Sequence, residues 1–192
     1  MKNITVFCGS SISNNEVLIN QAYELGKFLA KRNIALIYGG AKIGLMGKVA
    51  DGVLDHAGEA IGIIPKFLTS KEVLHEGLSR IIVTETMHER KEKMHNLCDG
   101  FITLPGGFGT LEELFEALTW SQLGLHQKPI GILNSNGFYN DMLKFIDQMI
   151  TSELLKPSNK ELLIVSDTIQ DLFQQMGDFV PHPVPKWMNK NL

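Results

Sequence analysis

Along these 192 residues, seven short and nearly continuous apolar runs alternate with longer amphipathic stretches, and that alternation constrains the fold most. The runs span 4–8, 34–38, 60–64, 81–83, 101–104, 130–133 and 162–165. Helical spacing of apolar residues covers 14–31, 44–57, 87–98, 110–123, 139–150 and 169–176. A strand without polar alternation is buried on both faces, which is the signature of a parallel sheet. Strand–helix repetition then wraps helices over both sides of that sheet. The expected fold is a single-domain, Rossmann-like, doubly wound α/β structure over 1–180. An extended tail over 181–192 follows, with three prolines and no periodicity. In such sheets ligands bind at the carboxyl ends of the strands, near the point where the winding reverses.

Two glycine-rich turns fall at those ends. The first is Leu104-Pro105-Gly106-Gly107-Phe108-Gly109-Thr110-Leu111-Glu112-Glu113, a strand running through glycines into a helix. Glycines allow close backbone approach to a ligand, and a helix start offers free N–H groups and partial positive charge to a phosphate. Thr110 fits as a cap or as a hydroxyl donor to that phosphate. The second turn holds Gly39, Gly40, Gly44 and Gly47. Its spacing is not GxGxxG, so it does not read as a dinucleotide fingerprint. A third segment, Met87-His88-Glu89-Arg90-Lys91, sets two cations at a helix start. They oppose the helix dipole and call for an anion, with Arg90 offering a planar fork.

On a helical wheel, Leu111, Leu114, Phe115 and Leu118 share a face expected to meet the sheet. Glu113, Ala117 and Trp120 fall opposite, so Trp120 suggests a second buried surface in a homodimer.

Composition narrows the chemistry. Hydrophobic residues make up 44% and charged residues 20%, enough for a sizeable core, and the net charge of -3 does not suit a nucleic-acid partner. Cys8 and Cys98 form no CxxC pair, and His88 and His95 lack a third ligand, so neither a disulfide framework nor a metal is expected. No run approaches roughly 18 apolar residues, and the opening MKNITVFCGS reads as a strand, not as a signal peptide. A cytoplasmic protein without membrane contact is expected. GxSxG, HExxH and GKS/T elements are absent from the sequence.

Taken together, LPGGFGTLEE, GGAKIGLMG and MHERK resemble the "lonely guy" family of cytokinin riboside 5′-monophosphate phosphoribohydrolases, also labelled lysine decarboxylases. The resemblance runs from about Ile4 to Met176. It implies a dimeric Rossmann-like enzyme that hydrolyses the N-glycosidic bond of an adenine nucleotide without a cofactor. The catalytic pair would be Arg90 and Glu113, with Glu112 beside it. Substrate positions would include Glu72, Arg90 with Lys91, Gly107, Phe108, Gly109, Thr110, Leu111, Glu112, Glu113 and Thr119; Met87 and Gly106, beside them in the same two segments, are further candidates. Gly39, Gly40 and Gly44 would add the second turn, where Ala41 replaces a third glycine common in the family. The decarboxylase label needs a Schiff-base lysine and a pyridinium partner, and no residue marks either.

The chemistry follows from the bond. Its cleavage builds positive charge on C1′ and the ring oxygen, which a carboxylate can stabilise while activating water. Glu113 is the first candidate, Glu112 the second, and Arg90 would hold the substrate and assist the departing base. A phosphate fixed by the Gly106–Thr110 turn would anchor the far end. Three other readings stay open. A non-catalytic nucleotide carrier or sensor could share the fold, as could a nucleoside monophosphate glycosylase of broader base specificity. A dinucleotide-dependent oxidoreductase lacks both its glycine fingerprint and a ribose-binding acid.

Overall fold

The computed structural model describes residues 1–69 and 74–181. Seven parallel strands form one sheet in the order β4-β3-β2-β1-β5-β6-β7. They are β1 (Asn3–Phe7), β2 (Ala35–Tyr38), β3 (Ala60–Pro65), β4 (Arg80–Thr84), β5 (Gly100–Thr103), β6 (Ile130–Leu133) and β7 (Leu163–Ser166). The helices are α1 (Glu16–Lys31), α2 (Gly44–Leu54), α3 (Met87–Leu97), α4 (Phe108–Gln122), α5 (Asn140–Thr151), the single turn α6 (Pro157–Lys160) and α7 (Ile169–Asp178). Each of the seven expected strands and six expected helices is present, with ends shifted by up to three residues. Residues 182–192 of the expected tail lie outside the described residues.

The apolar runs explain the layering. β2, β3, β5 and β6 are buried along their whole length. One core lies between the sheet and α1, α2 and α7, around Leu25, Leu29, Val49, Val53 and Leu172. The other lies under α3, α4 and α5, around Met94, Phe101, Leu114 and Tyr139. β1 and β5 are hydrogen-bonded neighbours, Ile4 facing Gly100 and Phe7 facing Thr103. The connection after β1 leads to α1 on one face, and that after β5 leads to α4 on the other. The winding therefore reverses between β1 and β5, and a crevice opens above their carboxyl ends.

One expectation is corrected. α4 does not seat Leu111, Leu114, Phe115 and Leu118 squarely on the sheet. Its buried residues are Thr110, Glu113, Leu114 and Ala117, while Leu111 and Leu118 are half-buried flanks and Phe115 is 36% exposed. Trp120 does not face away either: its ring lies 4.4 Å from that of His95. The wheel assigns the inside to the largest apolar arc. The helix start instead turns two polar residues toward the strand ends, which rotates the arc outward.

α1 and α2 cross in near backbone contact. A methyl on Gly26 would stand 2.1 Å from the Val49 carbonyl oxygen, and one on Gly52 2.1 Å from that of Tyr23. Gly26→Ala must force the two helices apart, a distortion costing about 1–3 kcal/mol. Thermal unfolding should show a Tm lowered by several degrees. An unchanged Tm would mean that the crossing yields without cost.

Candidate active site

The crevice is a cleft of about 750 Å³ lined by the loop after β1 (Gly9 to Asn14), the turn after β5 (Pro105 to Thr110), and Met87, Arg90, Glu112 and Glu113. That volume is within the usual small-molecule range of roughly 300–1,000 Å³. Leu18, Leu45, Met46, Leu68 and Phe138 supply apolar walls.

α4 begins at this cleft on Gly107, with no side chain capping it. The Leu111 N–H closes the first helical bond, to Gly107 O at 3.1 Å, leaving those of Phe108, Gly109 and Thr110 without intrahelical acceptors. The glycines of this turn divide in two. A methyl on Gly106 would collide with Thr110 Oγ1 at 2.1 Å, so packing within the protein demands glycine there. A methyl on Gly107 or Gly109 would meet nothing within 4 Å. Their bareness leaves the backbone N–H groups open to an incoming anion.

Arg90 and Lys91, adjacent on α3, are 5% and 8% exposed. Successive helical side chains point about 100° apart, and these two separate. Arg90 Nε donates to Ile63 O at 3.0 Å and Nη2 to Gly39 O at 3.2 Å, so the ends of β3 and β2 fix its guanidinium. Lys91 Nζ donates to Glu112 and to Glu116, the latter at 2.9 Å. Carbonyls and carboxylates on neighbouring elements thus offset the cations at this helix start. The helix is also capped by Thr86, whose Oγ1 accepts from Glu89 N at 3.1 Å.

Glu113 is 7% exposed at the cleft floor. Burial pushes its carboxyl up to about 7; the Arg90 and Lys91 charges pull it back, while Glu112 and Glu116 raise it further. Near neutral pH it can therefore take or release a proton, which suits a general base. Cys8 also lines the cleft, and burial, with the Glu113 charge, pushes its thiol well above its ordinary range. His95, behind α4, is held neutral, its pKa lowered by burial to about 4.

Of the residues singled out from the sequence, the cleft gathers Met87, Arg90, Gly106, Gly107, Phe108, Gly109, Thr110, Glu112 and Glu113. Lys91 is tied to its two carboxylates, behind the lining. Leu111 is a half-buried flank of α4. Thr119 is exposed, its hydroxyl donating to Phe115 O at 2.7 Å. Glu72 lies outside the described residues. Gly39, Gly40 and Gly44 of the second turn do not line the cleft but support it: Gly39 seats Arg90, and the N–H groups of Leu45 and Met46, whose side chains do line it, donate to Gly9 O at 3.0 and 3.2 Å. A methyl on Gly44 would lie 2.5 Å from Ser11 O. Sequence reasoning passed over Ser10, Ser11, Ser13 and Asn14, which line the cleft. Their position after β1, beside the reversal, was the available clue.

The profile of the family described as "possible lysine decarboxylase" matches residues 46–176. This chain belongs to that family. It is 44% identical over 181 residues to a probable cytokinin riboside 5′-monophosphate phosphoribohydrolase of Oryza sativa subsp. japonica, covering 94% of this chain and 86% of that one. It is 43% identical over 180 residues to a cytokinin riboside 5′-monophosphate phosphoribohydrolase of Arabidopsis thaliana, covering 94% and 84%. Two solved structures share the fold. The molybdenum cofactor binding protein of Rippkaea orientalis matches at TM-score 0.69 and 21% identity, over 93% of this chain and 97% of that one. The molybdenum cofactor carrier protein of Chlamydomonas reinhardtii matches at 0.68 and 20%, over 92% and 98%. The family's decarboxylase description has no counterpart in the cleft, whose described lining contains no lysine.

Glu113 couples this site to stability. Its folded pKa is raised from 4.5 to about 7, so between those values the folded state binds more protons than the unfolded one. Stability is thus greatest with Glu113 protonated and falls as pH rises through about 7, by up to about 3 kcal/mol. Glu113→Gln removes that loss. Its Tm should exceed the wild type's at pH 8, and the advantage should shrink toward pH 5. Parallel melting curves at both pH values would refute the raised pKa.

Proposed function

We propose that the protein hydrolyses the N-glycosidic bond of a nucleoside 5′-monophosphate, releasing the free base and ribose 5-phosphate. Cytokinin riboside 5′-monophosphate, the substrate in the relatives' names, and AMP are the candidate substrates. The observation that carries this reading is a buried carboxyl poised near neutrality, Glu113, about one and a half helical turns beyond an uncapped, glycine-lined helix start. The helix start binds the 5′-phosphate through backbone N–H groups. The sugar then lies along α4 with C1′ toward Glu113. As the C1′–N bond stretches, the Glu113 carboxylate stabilises the cationic sugar and accepts the proton of the attacking water. Arg90, held by two carbonyls, presents its remaining N–H donors to the cleft and stabilises charge on the departing base. The water oxygen ends on C1′, and the proton that Glu113 takes from the water passes to the departing base, so the base leaves neutral and Glu113 returns to its carboxylate.

A carrier reading draws on the two fold neighbours, a molybdenum cofactor binding protein and a molybdenum cofactor carrier protein. Glu113 argues for turnover instead. Placing a half-ionised carboxylate beside a phosphate site weakens anion binding, and it is useful only if the group does chemistry. Incubation with a nucleotide panel, followed by chromatography of freed base, decides between them. Base release from a nucleoside monophosphate supports hydrolysis; binding without release supports carriage. Glu113→Gln should lower kcat about 10²–10⁴-fold with nucleotide affinity retained, and near wild-type turnover would remove Glu113 from the mechanism.

The protein acts as a homodimer in this reading, in a reducing cytoplasm that suits two free, buried thiols. On the side of the sheet that α4 covers, Phe115 is 36% and Phe145 56% exposed, and α5 fully buries only Ile146. That apolar side is better suited to a second copy than to water. Trp120, packed on His95, cedes the role of anchor to Phe115. Light scattering at micromolar concentration should report a dimer for the wild type and a monomer for Phe115→Glu. A monomeric, fully active wild type would overturn the dimer; a dimeric variant would move the interface elsewhere.

A further inference from the structure

Lys91 and Glu116 form a pair for which the reaction above has no use. Lys91 Nζ reaches Glu116 Oε1 at 2.9 Å and also bonds Glu112 Oε1. Glu116 stands behind the cleft lining, and its Oε2 is buried with no hydrogen-bond partner, 3.9 Å from His95 Nε2. The His95 ring packs on Trp120 and Phe101, centroids 4.4 and 4.7 Å away. This aromatic wall keeps solvent off one side of the pair, so its attraction is screened less than that of a surface salt bridge. Glu112 differs. Its side chain is 54% exposed, lines the cleft, and is held from behind by the ammonium.

A carboxylate fixed at a cleft with an oxygen to spare is the usual acceptor for a ribose diol, because it takes hydroxyl hydrogen bonds. With the phosphate at the start of α4 and C1′ at Glu113, the sugar passes beside Glu112. We propose that Glu112 accepts the ribose hydroxyls of the nucleotide, and that Lys91 and Glu116 are positioning residues that hold Glu112 in place. This rests on the nucleotide reading and deepens it: the substrate class becomes ribonucleotides as against 2′-deoxyribonucleotides. Lys91 then acts through Glu112 and not as a phosphate ligand. Two like charges, Glu112 and Glu116, share one cation, so removing either lets Lys91 follow the other and frees or withdraws the ribose acceptor.

The test compares AMP with 2′-deoxyadenosine 5′-monophosphate on the full chain, by calorimetric binding and by base release. The wild type should favour AMP by about tenfold to a hundredfold, the range of a hydrogen bond to a charged group. Glu112→Gln and Glu116→Ala should both bring that ratio toward one, chiefly through affinity and KM, and Glu116→Gln, which keeps an acceptor for Lys91, should restore part of it. A merely structural role for Glu116 lowers both substrates alike, leaves the ratio intact, and overturns the proposal. So does a wild type that binds both nucleotides equally. Lys91→Met that erases the preference for AMP over adenosine, with the AMP-to-deoxy ratio unchanged, would make Lys91 a phosphate ligand and also overturn it. If the wild type releases no base from any nucleotide but keeps its binding ratio, the hydrolytic reading fails and this one stands.

Discussion

The Gly9 peptide ties together three strand-to-helix connections, and the cleft depends on it. Its N–H donates to Pro105 O at 3.0 Å, joining the ends of β1 and β5 where their chains part to opposite faces. Its carbonyl accepts the N–H groups of Leu45 and Met46, the first turn of α2. Two of the free donors that make a helix start attractive to an anion are thereby satisfied inside the protein. α2 and α4 both follow glycine-rich turns, yet only α4 keeps its donors open. The asymmetry leaves the cleft with one end suited to an anion, the turn at Gly107, and with Glu113 farther along the same helix.

The charges behind that turn are arranged by depth. Arg90 and Lys91 are adjacent in sequence, as are Glu112 and Glu113, and helical geometry splits each couple. Arg90 is satisfied by backbone carbonyls and faces the floor of the cleft; Lys91 is satisfied by two carboxylates nearer the surface. Among the described residues Glu113 has no cation within 4 Å, and burial therefore dominates its protonation. A direct ion pair with Arg90 would have held it ionised at all physiological pH and weakened it as a base. Anchoring Arg90 elsewhere keeps Glu113 responsive to pH.

Much of this was legible in the sequence. The apolar runs located every strand, because a strand covered on both faces has no polar alternation to confuse with a helix. The glycine turn into α4 and the Arg90-Lys91 couple stood out because each breaks the local preferences of an ordinary helix start. The sense in which α4 is buried was not legible. A wheel weighs residues by hydrophobicity, and Thr110 and Glu113 go inward for the cleft. Nor was the fate of Lys91, since its partners lie more than 20 residues away on another helix, and adjacency to Arg90 suggested a shared task. Ser10 to Asn14 escaped for a different reason. A short polar loop after a strand looks like any turn until the neighbouring strand is known to be β5.

Glycine illustrates the same limit most clearly, because a sequence shows where it occurs but not what requires it. Within one turn, Gly106 is required by Thr110, whereas Gly107 and Gly109 are required by nothing in the protein. At Gly39 the requirement is the Arg90 guanidinium, 2.2 Å from where a methyl would sit. At Gly26 and Gly52 it is a helix crossing. A glycine that the fold would allow to be alanine carries an entropic cost of roughly 0.5–1 kcal/mol within a helix, and Gly109 lies in the first turn of α4. Keeping it there against that cost is an argument from energetics, independent of any motif, that something outside the chain must approach the backbone at this point.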